Sequence, residues 1–126
     1  MMAREVCFVI GRGGAILWAD ASDRADALPD SRARWEAIWA HRDQLEAIAH
    51  SHPSGPAAFS AEDESTMQAI DSALGRPVRY CVVAPGRTIA RTGERPGACI
   101  EVVAPEPWWA GLLRLASGMA VTDTEE

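Results

Sequence analysis

The feature that most constrains this chain is the order in which short apolar runs and longer amphipathic segments alternate. Residues 5–10, EVCFVI, are a run of strand formers. GRGG follows as a turn signal, and AILWAD at 15–20 reads as a partner strand, so 5–20 predict a β-hairpin. The polar stretch 21–30 reads as a loop. SRARWEAIWAHRDQ at 31–44 places Trp35, Ile38, Trp39 and Arg42 at helical spacing, with Asp30 or Ser31 placed to cap the start. LEAIAH at 45–50 reads as a strand. SAEDESTMQAIDSAL at 60–74 reads as a helix with Met67, Ile70 and Leu74 on one face, ended by Gly75 and Pro77. VRYCVVA (78–84), TIAR (88–91) and ACIEVVA (98–104) predict further strands. PEPWWAGLLRLASG (105–118) predicts a final helix with Trp108, Leu112 and Leu115 on one face. Strands that alternate with helices in this order predict an α/β fold: a single domain over 1–120, a mixed β-sheet flanked by helices, and a frayed, disordered tail at 121–126.

A chain of 126 residues can bury a core without disulfides or metals. Its net charge of −6 argues against a protein that coats nucleic acid or an anionic membrane, so neither is expected as a partner. No apolar stretch approaches a membrane span, and the N-terminus lacks the pattern of a secretory signal. Cys7, Cys81 and Cys99 lie in apolar surroundings without metal-ligand spacing, which points to buried thiols in a reducing, cytoplasmic compartment. All twelve basic residues are arginine; genomic composition bias is the plainer reading, and selection against tagging on lysine is the alternative hypothesis. Trp35 and Trp39 are expected to pack in the core, and His41 to lie on the surface. Trp108 and Trp109 are adjacent and cannot both face inward, so one is expected to be exposed. Arg76, Arg79, Arg87 and Arg91 are expected to form a solvated face.

The stretch AHSHPSGPAAFSAED at 49–63 carries two of the three histidines. Side chains two apart on a strand share a face, so His50 and His52 project together if the strand persists to its end. Pro53 and Gly55 turn the chain, and Ser60 opens the next helix with Asp63 in its first turn. Two imidazoles and one carboxylate make three zinc ligands and leave a fourth tetrahedral position open, the arrangement of a catalytic site. The plainer alternative is that Ser60 and Asp63 form a capping box. That alternative leaves the histidines unexplained, and the two are compatible, since Ser60 can cap while Asp63 holds a metal.

His50-Ser51-His52-Pro53, seven residues between His52 and Ser60, and two between Ser60 and Asp63 resemble the signature of the JAMM (MPN+) zinc metalloproteases. EVCFVIG upstream resembles the strand that carries that family's catalytic glutamate, with Glu5, Cys7 and Gly11 at matching positions and Phe8 where glycine is usual. The resemblance covers roughly Glu5 to Val103. It implies a JAB/MPN-like, cytidine-deaminase-like architecture, Zn2+ held by His50, His52 and Asp63, and catalytic roles for Glu5 and Ser60. It also implies hydrolysis of a peptide or isopeptide bond at the C-terminal tail of a ubiquitin-like protein or sulfur carrier, with only small residues beside the zinc. Glu5 would act as general base and then general acid, and the Ser60 hydroxyl would donate to the developing oxyanion. Cys7 shares the face of Glu5 by the period of two and is expected to pack, not to ligate.

Members of that family usually begin with a helix before the glutamate strand, whereas Glu5 lies almost at the start here. A homodimer or another partner is therefore expected to cover the face that helix would occupy. Three other functions remain as alternatives: a catalytically inactive MPN-type binding module, a RadC-like protein associated with DNA repair, and a phage tail-assembly peptidase. Against the second, Ser51 stands where RadC-like chains usually carry asparagine.

Overall fold

The N-terminal hairpin forms as β1 (Val6–Gly11) and β2 (Ile16–Ala21), joined by a 3-10 turn at Arg12–Gly14. The structure, a computed structural model, describes residues 3–23, 28, 30–93 and 100–119. After the hairpin come α1 (Arg32–Ala40), β3 (Leu45–Ser51), α2 (Ala61–Leu74), β4 (Arg79–Val83), β5 (Thr88–Thr92), β6 (Glu101–Val102) and α3 (Trp108–Ser117). The strands make one sheet in the order β2-β1-β3-β4-β5-β6. Only the β3–β4 pair is parallel, and α2 supplies the crossover such a pair requires. This is the expected α/β domain with a mixed sheet.

Both faces of the central strands are covered, which is why EVCFVI shows no polar alternation. Val6, Phe8 and Ile10 of β1 join Ala47, Ala49, Cys81 and Val83 under Trp109, Ala110 and Leu113 of α3. Cys7 and Val9 point the other way and join Ile48 and Tyr80 under Ile38 of α1 and Met67 and Ile70 of α2. The sheet is thus the middle of three layers, with α3 on one side and α1 and α2 on the other.

Helix α2 is fixed at both ends. The Ser60 side chain accepts from the Asp63 N–H and the Asp63 side chain accepts from the Ser60 N–H, a complete capping box. Glu62, Asp63 and Glu64 in the first turn complement the helix dipole. Gly75 ends the helix at φ 71°, a left-handed conformation open to glycine, with its N–H on the Asp71 carbonyl. Near the N-terminal end, the buried Arg91 guanidinium forks onto Glu64 and lies 5.1 Å from the centre of the Phe59 ring. Toward the C-terminal end, the Tyr80 hydroxyl donates to Asp71 at 2.6 Å.

Three expectations change. Trp108, Leu112 and Leu115 are 62%, 41% and 66% exposed, and Trp109, Ala110 and Leu113 are the buried face of α3. The helix is apolar on two sides, and the side with the small Ala110 and Ser117 is the one that can approach the sheet closely. In α1 the core face is Arg34, Ala37 and Ile38; Trp39 is 52% exposed, with the Arg42 guanidinium 4.0 Å from its ring centre. Arg34 is tolerated inside because Asp20 of β2 receives it, 2.9 Å away. The four later arginines do not form one solvated face: Arg91 is buried against Glu64, Arg79 pairs with Glu101 and Arg76 donates to the Arg42 and Leu45 carbonyls, while Arg87 is exposed.

Of the strand expected at 98–104, β6 covers Glu101–Val102; Cys99 and the tail at 121–126 lie outside the described residues. Among the described residues, no helix is long and apolar enough to cross a membrane.

Candidate metal centre

Strand β3 ends at Ser51, but its ladder extends one residue further, since the His52 N–H donates to the Val83 carbonyl at 2.9 Å. His50 and His52 therefore project from the same side of the sheet, their ring centres 4.8 Å apart. The chain then reverses, with the Gly55 N–H on the His52 carbonyl at 2.9 Å and Gly55 at φ 64°. That reversal, followed by the cap of α2, returns Asp63 to the histidines.

The three side chains meet. His50 Nε2 and His52 Nε2 are 3.0 Å apart. His50 Nε2 lies 3.2 Å from Asp63 Oδ1, and His52 Nε2 lies 3.4 Å from Asp63 Oδ2. A tetrahedral ion with bonds of about 2.0–2.1 Å spaces its ligand atoms about 3.3–3.4 Å apart. The two nitrogens, at 3.0 Å, sit slightly closer than that, the two carboxylate contacts fall on different Asp63 oxygens, and one ligand atom from each residue lies within 4.8 Å of the others, so the set could hold a metal ion. These side chains are 12–18% exposed, dry enough to strengthen charge interactions and open enough for exchange. Among the described residues, this is the group of three such side chains whose ligand atoms converge.

The tautomer of one ring follows from its neighbour. His52 Nδ1 lies 3.1 Å from the Pro56 carbonyl oxygen, which can only accept. Nδ1 therefore carries the hydrogen, and in the neutral ring Nε2 presents a lone pair toward Asp63 and His50. Burial opposes the charged form of His52, but hydrogen bonds to Asp63 and Pro56, with the charges of Asp63 and Glu5, outweigh it and raise its pKa. Burial likewise opposes the Asp63 carboxylate, and hydrogen bonds from both histidines overcome it, holding the group well below the usual carboxylate range.

Glu5 immediately precedes β1 and is 8% exposed. Its side chain lines the same cavity as His50, His52, Ser60 and Asp63. Sequence spacing did not reveal what holds it there. Ser51 alternates to the opposite face from the two histidines and is fully buried. Its hydroxyl accepts from the Val6 N–H at 2.9 Å and donates to the Arg4 carbonyl at 3.4 Å, gripping the backbone on both sides of Glu5. Ser117, at the end of α3, donates to the same carbonyl at 2.6 Å, and the Arg4 N–H donates to the Ser117 carbonyl at 2.8 Å. The period of two was the available signal for Ser51: a polar residue between two outward histidines must face the covered side.

Ser60 serves the cap, its Oγ accepting from the Asp63 N–H at 3.0 Å. Its hydroxyl hydrogen remains a donor. Cys7 pairs with His50 in the ladder and stands outside the ligand group. Burial pushes its thiol up to about 12 and that of Cys81 up to about 11, so both are neutral at physiological pH.

Residues 4–95 match the family model described as prokaryotic homologs of the JAB domain. No curated protein matches the chain.

Proposed function

The chain belongs to the family of prokaryotic homologs of the JAB domain, and from that premise we propose that it is a zinc-dependent peptidase or isopeptidase. One observation carries the proposal: two imidazole nitrogens and a carboxylate converge at 3.0–3.4 Å in a cavity that Glu5 also lines. When bound, zinc would supply a Lewis acid that polarises a carbonyl and makes water acidic near neutral pH.

His50, His52 and Asp63 would hold the ion, and the Pro56 carbonyl would keep the His52 ring in its ligating tautomer. Glu5 would take a proton from the attacking water and pass it to the departing amine, work typically worth about 10²–10⁴-fold. Ser60 would donate its hydroxyl hydrogen to the oxygen that gains charge as the carbonyl is attacked. The substrate class that fits the family is the extended C-terminal tail of a ubiquitin-like protein or sulfur carrier, in processing or in deconjugation.

The test is hydrolysis by the zinc-loaded chain of a panel of fusions carrying such tails. Glu5→Gln is expected to bind zinc normally and lose at least about 100-fold in kcat. Equal cleavage by the parent and Glu5→Gln would overturn the proposal.

A further inference from the structure

A cavity of about 320 Å³ opens from the His50–His52–Asp63 cluster and runs between α1 and α2 over the sheet. Each element that brings a site residue to its mouth continues into it by its own periodicity. On β1, Cys7 follows Glu5 by two; on β3, Ile48 precedes His50 by two. On α2, Thr66, Met67 and Ile70 follow Asp63 by three, four and seven, the stripe of one helical face. Trp35 of α1 also lines it, its indole N–H donating to Asp30 at 3.2 Å.

The lining and the mouth differ in character. The lining away from the cluster is mainly apolar, the edges of core side chains such as Cys7, Ile38, Ile48, Met67 and Ile70 that are 2–6% exposed, whereas Glu5, Glu62 and Asp63 place carboxylates around the histidines. Arg34 also lines the cavity, but its guanidinium is committed to Asp20 through contacts of 2.9 and 3.3 Å. An acidic side chain would lose its hydration among apolar walls without a free cation among the described residues to pair with, whereas an apolar one would bury against them. The volume sits at the low end of the roughly 300–1,000 Å³ typical of small-ligand pockets. It suits one side chain with its adjoining backbone, and it exceeds the slot for small residues that the sequence resemblance implies.

We propose that this cleft receives one bulky apolar side chain of the polypeptide substrate, of leucine to phenylalanine size, at a residue flanking the scissile bond. This assignment rests on the hydrolase proposal above and adds a substrate preference to it. Three residues of α2 separate Asp63 from Thr66, about 4.5 Å along the axis, which is within reach of a side chain adjacent to the bond held at the metal.

Two measurements on the full chain test it. The zinc-loaded protein is given peptides that differ only in the residue on either side of the scissile bond: glycine, leucine, phenylalanine or aspartate. Separately, N-acetyl-phenylalanine amide and N-acetyl-glycine amide are titrated while the methyl NMR signals of Ile38, Ile48 and Ile70 are followed. On one side of the bond, kcat/KM is expected to be at least about tenfold higher for leucine or phenylalanine than for glycine or aspartate. The methyl signals should move with the phenylalanine amide and not with the glycine amide, and Thr66→Trp, which fills the cleft, should abolish both effects. Indifference across the peptide series, or methyl signals that do not move, overturns the cleft assignment and leaves the hydrolase proposal standing. Failure to cleave any peptide, with the methyl signals still responding, overturns the hydrolase proposal and with it the substrate role.

Discussion

The Ser51 hydroxyl accepts a hydrogen bond from the Val6 N–H at 2.9 Å, across 45 residues of sequence, and so ties the strand start that carries Glu5 to the strand end that carries His50 and His52. The bond is fully buried on the α3 side of the sheet, while the side chains it positions emerge on the other. The spacing between Glu5 and the two histidines is thereby set from behind the site.

Ser51→Ala removes that acceptor and leaves a buried N–H without its partner, a loss of about 1–3 kcal/mol. The urea midpoint should fall accordingly. Zinc uptake should persist, because both imidazoles and Asp63 remain, while hydrolysis should fall more than zinc affinity does. A variant whose activity falls only in step with its folded fraction would show that Ser51 has no positioning role.

Asp63 completes the helix cap and, on the proposal above, also holds the metal, and two substitutions separate these uses. Asp63→Asn keeps an oxygen that can accept the Ser60 N–H, so the helix start should survive, while zinc binding weakens by about 100-fold or more. Ser60→Ala should retain zinc and lose about 0.5–2 kcal/mol of stability through the cap. Competition against a chromophoric chelator reads the first effect and thermal unfolding reads the second.

Leu113 and Leu115 are two residues apart on α3, one fully buried and the other 66% exposed. Leu113→Ala should cost about 2–5 kcal/mol by opening a cavity under the sheet. Leu115→Ala should stay within about 0.5 kcal/mol of the parent. Equal losses in chemical denaturation would mean that α3 presents its other face to the core.

Away from the site, Glu106 is fixed by Arg114, at 2.7 Å from both guanidinium nitrogens, and by the Thr88 hydroxyl at 2.6 Å. The Arg114 contact, joined by Thr88 and opposed by burial, holds its carboxyl below the ordinary glutamate range. The stabilisation this provides is complete above the unfolded-state pKa of about 4.3 and fades as pH falls through the lower folded-state value. Glu106→Gln should therefore be less stable than the parent near neutral pH, and the gap should close on acidification. A gap that stays constant from neutral pH into the acid transition would contradict that linkage.

The sequence alone determined the order of elements, the cap of α2 and the convergence-prone His50, His52 and Asp63, because each is encoded within a few residues: periods of two and 3.6, Ser60 three before Asp63, His50 two before His52. It also marked Glu5, through the strand motif around it. Tertiary structure alone decided which face of α1 and α3 turns inward, since both helices carry apolar residues on more than one side and periodicity does not say what will cover them. It decided that Arg34 and Arg91 are buried, because their partners Asp20 and Glu64 come from other elements. The clasp of Ser51 and Ser117 around Glu5, and the cleft that leads away from Asp63, likewise have no local signature: they exist only where distant strands and helices are brought together.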